Sequence, residues 1–493
     1  MSQHPEENSS MQALITSMFD TETFRTSGHA LIELLTAQLK ANLQGQGQVL
    51  NWRDPATEDQ RWQQALPQTP TLDSDGLLEK LGTDILPNSL AIHHPHNLGH
   101  QVATPLPMAA LCDLVAALTN QAMAVYETGP SATMIERQVI RWLNALVGWD
   151  AGDGFLTSGG AQANLTALLA ARQHSATWNV WKQGVADHRP LVILASEHAH
   201  YSVSRAAGIM GLGTDAAIKV SADKQGCMEL SALIAAHQRC IASNQLVIAV
   251  VATAGCTPTG SIDPLADIGR YCNAQQLWMH VDGAHGASAL LSAQHRHQLK
   301  GIALADSVVW DGHKLLYMPA PVSAVLFREA KNSYAAFAQD ASYLFQGNNQ
   351  EAEAYNVSYR TLECTKRMMA LKLWAAFSLY GVEGLGTLVD EAFNKARLFA
   401  GKLKSRPEFE LLMQPQTNIV CFRHIKTGLS SAALSEHQAS LRQQIVQSGA
   451  FHLTQVALHG ELWLRTTLMN PFTQAKHLDT LIRLIVELSS KNI

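Results

Sequence analysis

The stretches LWMHVDGAHGASALL (Leu277 to Leu291) and ADSVVWDGHKLLYMPAPVSAVLF (Ala305 to Phe327) share one design. In each, a short apolar run rich in β-branched residues ends abruptly in polar ones. Leu277 to Val281 stops at Asp282, and Ser307 to Trp310 stops at Asp311-Gly312-His313-Lys314. Such runs predict buried parallel strands, and ligands of open α/β sheets bind just beyond the carboxyl ends of those strands. An acid and a lysine are therefore expected on one rim of one sheet. Taken singly, a lysine after a strand is commonly a solvated loop residue, and an aspartate there commonly caps a helix. Together they meet the needs of pyridoxal phosphate: an amine to hold the aldehyde as a Schiff base and a carboxylate for the pyridine nitrogen. Opposite unit charges about 4 Å apart in an effective dielectric near 20 attract by about 4 kcal/mol, roughly three pKa units, enough to hold that nitrogen protonated.

A second stretch supports a ligand rim. In Phe155-Leu156-Thr157-Ser158-Gly159-Gly160-Ala161-Gln162-Ala163-Asn164 an apolar run meets two glycines and then an Ala/Leu-rich helix. Glycine lets backbone N–H groups approach an anion, and a helix N-terminus adds positive potential. The segment reads either as a capped turn or as a phosphate cradle. Its glycine spacing and lack of a following lysine exclude the dinucleotide and P-loop fingerprints. Leu246 to Thr253 (LVIAVVAT) is another strand buried on both faces, and Arg189 to Ala195 leads into Ser196-Glu197-His198-Ala199-His200.

Composition narrows the function class. The chain has 493 residues, 47% apolar and 16% charged, and can bury a large core. A formal net charge of −5 provides no polycationic surface for nucleic acid or anionic membrane. Seven cysteines, scattered and without a CxxC pair, read as reduced thiols in a cytoplasmic protein, with no disulfide framework and no zinc site. The polar start MSQHPEENSS carries no secretory signal, and no apolar run reaches transmembrane length. The His-rich loop from His93 to Pro107 lacks a spacing that would converge ligands on a metal, so no metal is expected.

HVDGAHGAS followed by ADSVVWDGHKLL resembles the group II pyridoxal-phosphate-dependent amino acid decarboxylases, the family of the glutamate, cysteine sulfinate, diaminobutyrate and aromatic amino acid enzymes. The similarity runs from about His94 to the C-terminus. It implies an α/β, fold-type I enzyme: an N-terminal helical segment (1–105) at a dimer interface, a large α/β domain around a mostly parallel sheet (106–372), and a small C-terminal α/β domain (373–493). It also implies pyridoxal 5'-phosphate as cofactor, an obligate homodimer and a small amino acid as substrate.

The same resemblance carries roles onto single residues. Lys314 would hold the cofactor aldehyde, Asp282 the pyridine nitrogen, and His200 and Ala284 the two ring faces. TSGGAQAN implies phosphate contact by Ser158, Gly159, Gly160 and Ala161, with His313 and Ser307 on the phosphate side and Thr257 touching cofactor or substrate. ASYLFQ places Tyr343 as the residue that reprotonates Cα, and LRTTLMNP places Arg465 as the grip on a substrate carboxylate. His100 and Gln101 are expected near the substrate entrance. Two positions depart from the family pattern, Cys256 where threonine is usual and Gly312 where a larger residue is usual. An acidic substrate (glutamate, aspartate or cysteine sulfinate) is expected from Arg465 and ASYLFQ. HPHNLGHQ and TNQAMAVYETGPSAT look more like the diaminobutyrate branch, and a non-decarboxylating aminotransferase or lyase is the other alternative.

Overall fold

The computed structural model describes residues 5–337 and 354–491. Two compact units emerge. One comprises Met1–Leu98, Ala439–Leu453 and Phe472–Ile493, the other Gly99–Gln438 with Thr454–Pro471. Position 373, the expected start of a small C-terminal domain, lies within the helix Ala370–Lys404, which bends at Gly381 (φ 62°).

The second unit contains a seven-stranded sheet. Its strands are β1 (Asp153–Thr157), β2 (Leu191–Ser196), β3 (Ala217–Val220), β4 (Leu246–Thr253), β5 (Met279–Asp282), β6 (Ser307–Asp311) and β7 (Ser323–Phe327), in the spatial order β1-β7-β6-β5-β4-β2-β3. β3, β2, β4, β5 and β6 pair in parallel, while β7 runs antiparallel to both β6 and β1. Six strands thus point one way, and the carboxyl ends of β1, β2, β4, β5 and β6 share one rim.

The near-continuous apolar runs follow from burial on both faces. In β4, Val250 and Ala252 enter one core cluster while Ala249 and Val251 enter another, the two-residue alternation of a pleated strand. The first cluster includes Leu156, Val281, Val308 and Trp310; the second includes Phe155, Val309, Val325 and the helix residues Ala163, Ala167 and Leu168.

A buried ion pair anchors β1. Glu136, on the helix Pro130–Val147, pairs with Lys366 and accepts the Leu156 N–H at 3.1 Å, while Lys366 donates to the Leu156 carbonyl at 2.9 Å. Both side chains are almost wholly buried, and burial pushes the Lys366 amine down from its ordinary range.

The same unit holds a four-stranded antiparallel sheet: β8 (Phe409–Leu411), β9 (Ile419–His424), β10 (Thr454–Leu458) and β11 (Glu461–Thr467), ordered β10-β11-β9-β8. In the first unit, Asp20 caps the helix Thr21–Leu43 by accepting the Thr23 N–H at 2.7 Å. There the helix Ala475–Lys491 buries Leu478, Leu481, Ile482 and Ile485, the four-residue rhythm of one apolar helix face. Among the described residues no helix is long and apolar enough to cross a membrane.

Candidate active site

Five strand ends supply one cavity of about 250 Å³. After β1 come Gly159, Gly160 and Ala161, and after β2 comes His200. β4 gives Thr253, Gly255 and Thr257; β5 gives Asp282, Ala284 and His285; β6 gives Asp311, His313 and Lys314. The rim expected from two apolar runs is therefore a closed constellation, with Asn164 of the helix Gly160–Ser175 as a further wall.

Lys314 Nζ lies 3.0 Å from Asp311 Oδ2, and His313 Nε2 lies 3.6 Å from the same oxygen. Asp311 Oδ1 accepts the Ser323 hydroxyl at 2.5 Å. His313 Nδ1 sits 2.8 Å from the Val322 carbonyl, which holds the ring against the start of β7. A Cβ at Gly312 would meet Val322 Cγ1 at 2.9 Å, so this turn is filled from the opposite side by valine.

Asp282 ends β5 with its side chain buried. Its Oδ2 accepts from Asn164 Nδ2 at 3.0 Å and its Oδ1 from the Ala284 N–H at 3.2 Å. His200 is held by Ser202, whose hydroxyl is 2.9 Å from Nδ1. Burial drives the His200 imidazole below its ordinary range, with Asp282 acting against that and Lys314 with it.

The helix Gly160–Ser175 begins at the cavity with no side-chain cap, which leaves its first amides open to an anion. A Cβ at Gly160 would fall 2.9 Å and 3.0 Å from the Asp311 carboxylate oxygens, whereas one at Gly159 would meet nothing within 4 Å. Gly160 is thus required by close approach, and open space lies beside Gly159. Among the described residues no group of three His, Cys, Asp or Glu side chains could hold a metal ion.

Other expected residues lie elsewhere. Ser158 is exposed and bonds Gln162 at 2.6 Å. Ser307 stands at the amino end of β6, a strand length from Asp311, where it meets His280 Nδ1 at 2.8 Å and Trp278 Nε1 at 3.0 Å. A phosphate-side role for Ser307 is inconsistent with that position. Arg465, on β11, pairs across the sheet with Thr454 and Cys421 and is 5% exposed. Its Nη1 donates to Thr454 Oγ1 at 3.3 Å, while Nε and Nη2 have no hydrogen-bond partner among the described residues. His100 is exposed and Gln101 half-buried; neither lines the cavity. Cys256 does not line the cavity, and its Sγ lies 3.0 Å from Thr259 Oγ1. Tyr343 lies outside the described residues.

Sequence reasoning missed Asp311, Asn164 and His285 as parts of the site. Asp311 was legible as the polar residue that ends a strand, and Asn164 as an amide inside an apolar helix, where burial demands partners. His285 is buried with Nε2 2.6 Å from Asn418 Oδ1, and burial together with the Lys314 and Arg465 cations pushes its pKa down to about 3.

The pyridoxal-dependent decarboxylase conserved domain matches residues 55–425 of the chain. The protein belongs to the pyridoxal-dependent decarboxylase family. Mouse cysteine sulfinic acid decarboxylase is 32% identical over 445 residues, 88% of this chain and 90% of that protein. L-2,4-diaminobutyrate decarboxylase of Rhizobium meliloti (strain 1021) is 32% identical over 396 residues, 80% and 78% of the two chains. The crystal structure of mouse CSAD superposes with a TM-score of 0.88 at 29% identity, covering 95% of this chain and 99% of that one. This decarboxylase is a fold-type I, pyridoxal-phosphate-dependent carboxy-lyase acting on an amino acid.

The cavity fits that cofactor. It offers a lysine amine, a buried carboxylate opposite, an uncapped helix start with a glycine pair, and a buried Thr253 hydroxyl with no partner among the described residues. Lys314 could hold the aldehyde carbon, Gly159 to Ala161 the phosphate, and Asp282 the pyridine nitrogen.

Proposed function

We propose that the protein removes the α-carboxylate of an acidic amino acid (glutamate, aspartate or cysteine sulfinate) as CO₂, leaving the amine. The observation that carries the substrate class is Arg465. A guanidinium this deeply buried, with two nitrogens unpartnered among the described residues, calls for an anionic acceptor, and its planar fork suits a carboxylate or sulfinate. The relatives named cysteine sulfinic acid decarboxylase and acidic amino acid decarboxylase support the same reading.

Pyridoxal phosphate, when bound, supplies an aldehyde for the substrate amine and a ring that draws off the electrons left by departing CO₂. The chain's own groups do the rest. Lys314 would hold the aldehyde until the substrate amine takes its place. His200 and Ala284 would flank the bound ring and keep water from it, and Asp282 would keep the pyridine nitrogen protonated. Tyr343 delivers the proton to Cα.

A homodimer in the cytoplasm completes the reading. On the helix Pro107–Thr119, Leu111, Leu114, Val115 and Leu118 are 41%, 50%, 49% and 67% exposed at the spacing of a single helix face. Such a stripe is what a second copy of the chain would cover.

The test is CO₂ release from a panel of amino acids by the wild type and by Arg465→Met. Turnover of an acidic amino acid, with KM raised at least tenfold in the variant, supports the assignment; activity on acidic substrates unchanged by Arg465→Met overturns it. A second reading, diaminobutyrate as substrate, is favoured by His285. Asn418 Oδ1 takes the Nε2 proton, which leaves the buried Nδ1, without a hydrogen-bond partner among the described residues, as an acceptor suited to a side-chain ammonium. CO₂ from diaminobutyrate alone, lost in His285→Phe, would establish that alternative.

A further inference from the structure

The geometry points to Asn164 and His280 as positioning residues that together fix the direction of Asp282 and the proton of His200. Every hydrogen in the cluster can be assigned, because both ends of the chain of bonds are groups with only one possible role.

Asp282 Oδ2 only accepts, so the Asn164 atom 3.0 Å away is the amide nitrogen, and the amide orientation follows. Asn164 Oδ1 then faces His280 Nε2 at 2.9 Å, which places the His280 proton on Nε2. His280 Nδ1 must accept, and the Ser307 hydroxyl donates to it at 2.8 Å. Ser307 in turn accepts the indole N–H of Trp278 at 3.0 Å, a group that can only donate. On the other branch, the second amide hydrogen of Asn164 goes to Ser202 Oγ at 2.9 Å. The Ser202 hydroxyl donates to His200 Nδ1 at 2.9 Å, and the Ser202 backbone N–H points at the same nitrogen at 3.3 Å. With two donors aimed at Nδ1, the His200 proton sits on Nε2. The imidazole therefore offers the cavity a hydrogen-bond donor, suited to a substrate carboxylate.

Burial makes the arrangement matter. Asn164, Ser202, Ser307 and His280 are each at most 1% exposed, so no water can substitute for a lost partner. Complete burial depresses the His280 pKa to about 4, which keeps the ring neutral with one donor and one acceptor nitrogen, as the chain requires. The inference rests on the cofactor lying against Asp282 and His200. It gives Ser307 a role from the far end of β6, as the hydroxyl that sets the His280 tautomer.

The test is the ¹⁵N spectrum of the holoenzyme carrying ¹⁵N-labelled histidine, with His200 and His280 assigned by single replacement. Both rings are expected as the neutral Nε2–H tautomer near pH 7; a proton on Nδ1 of either overturns the proposal without any variant having to fold. As a second measurement, Asn164→Ala should weaken pyridoxal phosphate binding by the apo-protein about tenfold. Ser202→Ala, which removes the hydroxyl donor to His200 Nδ1, should shift the His200 signals while His280 keeps its Nε2–H tautomer. Unchanged cofactor affinity in Asn164→Ala removes Asn164 from the positioning role. Failure of the wild type to bind the cofactor at all would instead overturn the site assignment on which this rests.

Discussion

Lys314 Nζ stands 3.0 Å from Asp311 Oδ2, and the aspartate is 2% exposed. Asp311 ends β6 and Lys314 follows three residues later, so the strand end that presents the lysine also supplies its counter-charge. Asp311→Asn keeps the shape and the Ser323 bond but removes that charge. Hydrogen bonds to charged groups contribute about 1.5–3 kcal/mol, so turnover should fall about ten- to a hundredfold. Steady-state CO₂ release measures this, and Lys314→Ala sets the floor: no CO₂ and no visible absorbance from protein-bound cofactor.

Gly160 sits under the same carboxylate. An added Cβ at 2.9 Å from Asp311 Oδ1 must displace the start of the helix Gly160–Ser175 or the aspartate itself. Overpacking of about 1–3 kcal/mol at the proposed phosphate cradle should weaken pyridoxal phosphate binding by about tenfold in Gly160→Ala. Fluorescence titration of the apo-protein reads the change. Gly159→Ala, where a Cβ meets nothing, serves as the comparison, since only a bound phosphate would conflict with it.

Glu136→Ala should destabilise the fold by about 3–5 kcal/mol, because it strands the buried Lys366 amine beneath β1. Replacing both partners, Glu136→Leu with Lys366→Met, should cost markedly less than the single change. Urea midpoints of the three proteins decide between a stranded charge and simple loss of packing.

Acidification should destabilise the protein through its buried histidines. His280 titrates near 4 and His285 near 3 in the folded chain, both depressed first by burial, against about 6.5 when unfolded. Their stabilising contribution is complete above pH 6.5 and is lost as pH falls from there towards 4, because only the unfolded chain takes up the protons. The Asp282 charge and the Ser307 backbone act against the depression of His280, while Lys314 and Arg465 reinforce that of His285. For His280 alone the loss between pH 7 and pH 5 is about 2 kcal/mol. Asp263, raised by burial to about 6, works in the opposite sense over part of the same interval. Urea midpoints at pH 7 and pH 5 should differ in the wild type and differ less in His280→Gln.

Much of this enzyme could be read from local pattern. Leu246–Thr253 is the strand expected from its continuous apolar run, residue for residue. Asp282, His313 and Lys314 fall where two abrupt ends of apolar runs put them, because a strand buried on both faces must shed its polar residues at its ends. Glycines before an Ala/Leu-rich helix read as a capped turn or an anion cradle, and the helix start lies at the cavity with no side-chain cap, because backbone access is a property of the residues themselves.

What only the tertiary structure decided is how distant segments meet. Ser307 shares the Asp311 strand yet works at its opposite end, since a strand carries its two ends about 13 Å apart over five residues. Asn164 reaches Asp282 at the end of β5 across 118 positions of sequence, and no periodicity encodes such a contact. Arg465 is recognisable in LRTTLMNP, but its burial between Thr454 and Cys421 follows from strand register in the small sheet. Sequence determined which groups the chain carries to the ends of its strands; packing determined which of them share hydrogens, because burial leaves each polar atom only the partners the fold brings to it.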